Sequence, residues 1–354
     1  MNKRLQNLRN LMKEKDIEAF VIYKFVNVTY ITGFTGDDSA AFITHDKAIF
    51  ITDARYTEQA QKEVKDFEVI EHKNGIKEVI KEYIEKLRIK KLAFEENISF
   101  RQYKELKDFL GIKLVPQANL VETLRMVKDD TEIENIKKAQ NITDMAFNHI
   151  LNFIKVGMTE REVALELEYF MKKQGAQDLS FEAIVASGKR SSLPHGKASE
   201  KVIEKGDFVT LDFGCKVNGY CSDMTRTIVM GKADDRQKEI YNIVLEAQQR
   251  AIDNLKAGIT SKEADSLARS VIEEKGYGKY FGHSLGHGVG LEVHEAPSLS
   301  FKNEEILKEG AIVTVEPGIY IPDFGGVRIE DMVLLKEDGV TNLTNSPKYL
   351  IELN

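Results

Sequence analysis

The stretch VTLDFGCKVNGYCSDMTRTIVM, residues 209–230, admits few folds. Asn218-Gly219 is a two-residue hairpin signal, because the tight turns that suit strand twist need positive φ there and Val217 and Tyr220 flank it. With a regular turn the numbers of paired residues sum to 437, so Asp212 faces Thr225 and Asp223 is its diagonal neighbour on the same face. Diagonal neighbours stand about 7 to 8 Å apart at the backbone and closer at their tips. Two carboxylates that near on a half-buried face are costly unless a proton, a cation or two metal ions offset them. The alternative is that both point into solvent, and a bulge at Gly214 would shift the register. The same parity puts Cys221 on the Asp face and Cys215 opposite, where free thiols read as packing rather than as ligands of a carboxylate-rich site.

Four of the seven histidines fall in two clusters, His195 in SLPHGK and His283, His287 and His294 in GHSLGHGVGLEVHE. His283 and His287 have the i, i+4 spacing of a helical zinc site, but Gly282, Gly286, Gly288 and Gly290 exclude a helix there. The glycines also miss the spacing of a dinucleotide loop, and instead let backbone approach a site closely while the imidazoles point into it. Glu316 closes the apolar strand AIVTVEP, where Pro317 and Gly318 stop the pairing. Glu330 follows in GGVRIED on the same face as Arg328, whose guanidinium beside that carboxylate would hold it ionised and oriented. Asp212, Asp223, Glu316, Glu330 and His287 together make four carboxylates and one imidazole. That donor set suits two Mn, Co or Zn ions, which generate hydroxide at neutral pH and clamp a tetrahedral intermediate. The reaction class is hydrolysis.

The chain has 354 residues with 50 basic against 57 acidic side chains, enough for two domains and with no basic block to neutralise phosphates, so nucleic acid is not an expected partner. No apolar run reaches the ~18 to 20 residues of a membrane helix, and residues 1–20 read as an amphipathic helix rather than a signal peptide. Cys215 and Cys221 give no disulfide framework and fit a reducing compartment, so a cytoplasmic location is expected. In the first third, Ala19 to Tyr23, Ala40 to Thr44, Ala48 to Thr52, Lys91 to Glu95 and Ile112 to Val115 read as strands. Ala54 to Val64, Gly75 to Leu87 and Phe100 to Leu110 read as helices between them. A boundary at residues 122–130 precedes a long helix, Thr131 to Ile154, with Thr131 and Glu134 spaced as a capping box. Thr159 with Glu162 and Thr260 with Glu263 repeat the device, and a third long helix spans Asp235 to Leu255. Phe181 to Ala186, Phe208 to Phe213, Tyr220 to Val229, Ala311 to Val315 and Val327 to Leu335 read as strands of an α+β half.

LDFG, SDMTRTIVMG, HSLGHGVGLEVHE, VEPGIYIP and GGVRIED stand in the order and spacing of one family. The chain resembles the pita-bread metallopeptidases, the group of methionine aminopeptidase, aminopeptidase P and prolidase. The likeness is strong over residues 125–354, and residues 1–124 look like the creatinase-like amino-terminal domain of the aminopeptidase P and prolidase branch. It implies an α/β amino-terminal domain, shaping substrate access and dimer contacts, plus an α+β pita-bread carboxy-terminal catalytic domain. By resemblance Asp212 chelates one metal ion, His287 and Glu316 hold the other, and Asp223 and Glu330 bridge. His195, His283 and His294 match histidines that bind substrate and stabilise the intermediate, Glu316 also relays protons, and Tyr320 and Arg328 match supporting positions. Two divalent ions, Mn foremost with Co or Zn as alternatives, a proline-containing peptide substrate and a homodimer are further implications.

Proline explains a dedicated enzyme, since its nitrogen carries no hydrogen and its ring fixes φ, which denies general peptidases a hydrogen bond. Two activities compete: aminopeptidase P, which releases the first residue of Xaa-Pro-Yaa chains, and prolidase, which splits Xaa-Pro dipeptides. A prolidase should offer the proline carboxylate a cation, and Ser298 and Leu299 after HEAP supply no arginine there, which leans the expectation to aminopeptidase P. A creatinase-like, metal-free C–N hydrolase and a non-catalytic binding relic are weaker rivals, because both would lose ligands that this chain keeps.

Overall fold

Asn2 caps α1 (Lys3–Glu14) by accepting the Leu5 N–H, and the helix buries Leu5, Leu8 and Met12 on one face. It stops short of Phe20 because Ala19 and Phe20 open the first strand of a sheet and are fully buried there. In this computed structural model, which describes residues 2–354, the chain divides into two units that meet in sequence at Arg125 and Met126.

The first unit runs α1, β1 (Ala19–Ile22), α2 (Phe25–Thr32), β2 (Ser39–Thr44), β3 (Ala48–Thr52), α3 (Thr57–Glu63), β4 (Glu68–Glu71), α4 (Ile76–Leu87), β5 (Lys91–Glu95), α5 (Phe100–Leu110), β6 (Lys113–Gln117) and α6 (Glu122–Arg125). Its six strands lie in the order β4-β3-β2-β1-β5-β6, with β1, β2 and β3 antiparallel and the outer pairs parallel. The central strands are buried on both faces, which is why they read as continuous apolar runs rather than alternating ones. Phe25–Thr32 becomes a helix although its β-branched residues carry no helical signal. Asn27 within it is buried and donates to Glu95 and Glu122.

The second unit begins with α7 (Asp130–Phe153) and α8 (Glu160–Lys173), then β7 (Asp178–Leu179), β8 (Ile184–Ser187), β9 (Phe208–Phe213), β10 (Cys215–Val217), β11 (Tyr220–Cys221) and β12 (Met224–Met230). Then come α9 (Asp235–Asn254), α10 (Ser261–Glu274), β13 (Gly286–Gly288), β14 (Glu295–Leu299), β15 (Ile312–Val315), β16 (Gly318–Ile321), β17 (Gly325–Arg328), β18 (Asp331–Lys336), β19 (Gly339–Asn342) and β20 (Glu352–Leu353). The sheet β20-β12-β9-β8 shares one core with α7 and α8, through Phe147, Leu167, Val185, Leu211 and Ile228. The sheet β14-β13-β15-β18-β19 shares a second with α9 and α10, through Val244, Ala268, Val313 and Val333.

The capping boxes at Thr159 and Thr260 close as the spacing predicts. For α7 the box is Asp129 with Glu132 instead of Thr131 with Glu134. Asp129 accepts the Glu132 N–H at 2.9 Å and Glu132 accepts the Asp129 N–H at 2.9 Å, so the helix starts ahead of Thr131. The strand expected over 181–186 occupies Ile184–Ser187. Two strands expected to be continuous are broken, Tyr220 to Val229 at Ser222-Asp223 and Val327 to Leu335 at Ile329-Glu330. Both breaks fall on candidate site residues.

Candidate metal centre

The hairpin keeps the expected register on both sides of its bend, with Asp212 opposite Thr225 and Lys216 opposite Cys221. It bends where Gly214 lies against Ser222, so close that a Cβ would stand 2.0 Å from the Ser222 carbonyl oxygen. Ser222 Oγ accepts the Cys215 N–H at 2.9 Å and is 2.7 Å from Thr143 Oγ1, which fixes the kink that turns Asp223 inward. Asp212 is 8% exposed and Asp223 4%, so neither takes the solvent-facing alternative. Cys215 and Cys221 are buried, unbridged packing residues.

Glu330 reaches the same place because the chain leaves β17 after Arg328 and crosses to β12. Its N–H donates to Thr225 O at 3.1 Å, and Arg226 donates to its carbonyl at 2.5 Å. Arg328 does not bind Glu330 directly, as their shared face suggested. Its Nη2 pairs with Asp212 Oδ2 at 2.5 Å, while Nε donates to Thr225 Oγ1 at 2.9 Å and that hydroxyl donates to Glu330 Oε2 at 2.6 Å. Thr225 therefore relays the guanidinium to Glu330, a role invisible before the register and the break are both known.

His287 sits in β13, where Gly286 packs so tightly on β15 that a Cβ would lie 2.0 Å from Thr314 O. Thr314 Oγ1 accepts the His287 N–H at 3.0 Å and donates to Glu316 Oε1 at 3.1 Å, tying the two candidate ligands together. Pairing does not stop after Glu316 as expected, since Gly318 opens β16 against Arg328. That short ribbon places Tyr320, whose hydroxyl accepts from Arg328 Nη1 at 2.8 Å and lies 2.9 Å from His283 Nε2.

His287 Nδ1 is 3.1 Å from the Gly288 carbonyl, which fixes its proton on Nδ1 and leaves the Nε2 lone pair facing Asp223 Oδ2 at 3.6 Å and Glu316 Oε1 at 3.3 Å. Burial lowers the imidazole pKa, so this nitrogen is an acceptor among acceptors. Burial first, then the neighbouring carboxylates, raises Asp223 and Glu330 well above the usual range, and burial pushes Glu316 up to about 7. Asp212 Oδ1 and Asp223 Oδ1 are buried with no hydrogen-bond partner among the described residues. One ligand atom from each of Asp223, His287 and Glu330 falls within 4.8 Å of the others. Electron-rich atoms so converged, with orphaned oxygens among them, fit divalent cations.

These residues floor a cavity of about 500 Å³, a size that encloses a small peptide. His195, His283 and His294 line it with Arg328, and the His294 ring lies 4.2 Å from that of His287. Burial pushes His283 down to about 4; with Nδ1 2.9 Å from Ser284 O, its neutral Nε2 accepts the Tyr320 hydroxyl proton. The His283 segment is pinned from α10: Arg269 donates to the carbonyls of Phe281 at 2.9 Å and His283 at 2.7 Å, and the fully buried Asp265 accepts from Arg269 and from the Leu285 N–H at 3.0 Å. Sequence reasoning also missed the lip, where Lys197 pairs with Glu182 and both exposed side chains line the cavity. The signal lay in HGK, beside His195.

Residues 134–337 match metallopeptidase family M24, and residues 4–127 match the creatinase/prolidase N-terminal domain. A relative from Pyrococcus furiosus, an Xaa-Pro dipeptidase, is 45% identical over 99% of this chain and 100% of its own. The solved structure of an Xaa-Pro dipeptidase from Bacillus anthracis superposes with TM-score 0.97 at 50% identity, covering 99% of each chain. An X-Pro aminopeptidase from Thermotoga maritima superposes with TM-score 0.90 at 46% identity, covering 98% of this chain and 99% of that one.

Proposed function

Since the chain belongs to metallopeptidase family M24, with a creatinase-type amino-terminal domain ahead of a pita-bread catalytic domain, we propose that it is an Xaa-Pro dipeptidase working with two divalent metal ions. The observation that carries the reading is the basin of Asp212, Asp223, Glu316, Glu330 and His287, with orphaned carboxylate oxygens and a neutral imidazole turned on them. Asp212 and His287 with Glu316 would hold one ion each, and Asp223 and Glu330 would bridge them. Bound there, such ions supply Lewis acidity and bring water within reach of deprotonation at neutral pH. Mn is the first choice of metal for this oxygen-rich set, with Co or Zn as alternatives.

The chain's own groups do the rest. Arg328 and Thr225 hold Asp212 and Glu330 in place. Glu316, beside the basin and tied to His287 through Thr314, would also pass a proton to the leaving proline nitrogen. His195 and His294 line the wall where charge develops on the scissile carbonyl oxygen, His283 stands beside them with both ring nitrogens engaged by Ser284 and Tyr320, and Phe181 and Ile184 give the proline ring an apolar side.

The relatives named Xaa-Pro dipeptidase favour the dipeptidase over the aminopeptidase P lean, which rested on the missing arginine after HEAP. Lys197 supports the change: its ammonium stands on the cavity lip with an exposed carboxylate for partner, where a proline carboxylate can displace it. The unbridged cysteines agree with a cytoplasmic location, and a homodimer remains part of the reading. Among the described residues no helix is long and apolar enough to cross a membrane. Product analysis of chelated protein on Gly-Pro and on a Gly-Pro-Yaa tripeptide, with and without Mn²⁺, is the test. Metal-dependent cleavage of the dipeptide alone is expected, and release of glycine from the tripeptide would make it an aminopeptidase P.

A further inference from the structure

Glu160 opens α8 and is fully buried, away from the carboxylate basin. A carboxylate so enclosed is costly unless every oxygen is satisfied, and here one residue gathers both ends of the segment that carries His195. Its Oε1 accepts the Ser187 N–H at 2.7 Å and the Ser187 hydroxyl at 2.9 Å, at the entry to the segment. Its Oε2 accepts the Ser199 N–H at 3.1 Å and the Ser199 hydroxyl at 2.7 Å, at the exit, and pairs with Arg190. Arg190 spans the interior, since its second nitrogen donates to Lys197 O at 2.9 Å. Inside that ring Leu193 N–H donates to Arg190 O, Gly196 N–H to Leu193 O and Lys197 N–H to His195 O. Beyond Ser187, which still pairs with Val209, the segment has a single 3-10 turn at Gly188–Ser192, one isolated bridge, Ile184 to Lys197, and two outer ties, Gly326 N–H to Ser191 Oγ and Arg328 to Pro194 O. Those ties hold its middle, and Glu160 joins its two ends.

We propose that Glu160 is a positioning residue which, through Arg190, Ser187 and Ser199, closes residues 187–199 into a fixed ring and so holds the His195 imidazole, with Lys197, at the wall of the catalytic cavity. The inference rests on the peptidase reading for its kinetic consequence but not for its geometry. Glu160 touches no reacting group. It acts through His195.

The test is a double-mutant cycle on the metal-loaded enzyme with Gly-Pro, combining Glu160→Gln and His195→Ala. Glu160→Gln alone is expected to lower kcat about 100-fold, the loss that a shift of about 1 Å in a positioned group produces, with bound metal unchanged. In the His195→Ala background the same change is expected to cost less than about threefold, because its target is gone. Equal losses in the two backgrounds, a loss that follows metal content, or a fall in melting temperature with kcat unchanged would each overturn the proposal. If Glu160→Gln does not fold, Ser199→Ala opens the exit tie and spares the ion pair, and must show the same dependence on His195. Should wild type cleave neither Xaa-Pro substrate, the peptidase reading falls, and the clamp is judged by imidazole NMR. Glu160→Gln should then broaden or shift His195 and leave His283 in place, and an unmoved His195 resonance would refute it.

Discussion

Two loops deliver histidines to one cavity, and each hangs from a buried carboxylate paired with a partly exposed guanidinium near the start of a capped helix. In the loop before β9, the acid is on the helix and the arginine, Arg190, belongs to the loop itself. In the loop before β13, acid and arginine both lie on α10, one turn apart, and the loop answers with the carbonyls of Phe281 and His283, the N–H of Leu285 and a single side chain, the Phe281 ring 4.2 Å from the guanidinium. The first loop is thus closed at its two ends by side chains it must itself encode. The second can change most of its side chains and stay attached, because carbonyls are common to every residue.

The largest effect should bypass that contrast by removing the floor beneath both loops. Asp223→Ala or Glu330→Ala is expected to drop turnover below detection and metal content with it, by elemental analysis and Gly-Pro assay; near-normal rates in a metal-depleted variant would end the two-metal reading. Next, Arg269→Gln should be the costlier break for folding, since it strands Asp265 and two carbonyls together. A loss of about 3 kcal/mol in urea unfolding is expected. Side-chain changes at Ser284 should stay within about 0.5 kcal/mol, and a comparable cost there would erase the distinction between the loops. Lys197→Met should raise KM for Gly-Pro about tenfold, the worth of one exposed charge contact to a substrate carboxylate, and leave metal binding alone. An unchanged KM would remove Lys197 from recognition.

The smallest effect is a pH dependence that sorts the loops. His283, pushed down to about 4 from an ordinary 6.5, stabilises the fold as neutral imidazole, so its contribution is complete above pH 6.5 and is lost as pH falls towards 4. Glu316, raised to about 7, has the opposite sign in the metal-free chain, favouring the fold when protonated and losing that contribution as pH rises through 7. Melting curves should therefore show Mn²⁺ stabilising the protein more at pH 7.5 than at pH 5.5, a ratio that proton competition for the ligands reinforces. His283→Gln should flatten the acid side, and an unaltered acid limb would place its cause elsewhere.

Much of this was legible before any coordinates. The Asn218-Gly219 turn set a register that the structure keeps, and with it the pairing of Asp212 with Thr225. The glycines around His287 foretold close backbone packing on Thr314. What could not be read were breaks and relays. Nothing in CSDMT or VRIED announces that the strand stops at Asp223 or at Glu330, because the cause is a contact with a distant segment: Ser222 with Thr143, Glu330 with Thr225. The roles of Thr225, Glu160, Asp265 and Lys197 are hidden for the same reason. Each looks like an ordinary capping, strand or surface residue until the chain is folded. The α7 cap was misplaced because Asp129-Asp130-Thr131 offers three adequate caps, and only tertiary packing selects one.

Arg328 reaches both loops and the basin. Its guanidinium holds Pro194 O in the first loop at 3.1 Å, Tyr320 and through it His283 of the second, and Asp212 in the basin. With Thr225 on its Nε, this planar group has four partners and cannot follow one without leaving another. Both histidine loops and the Asp212 carboxylate beneath them therefore share a single pivot, the guanidinium of Arg328.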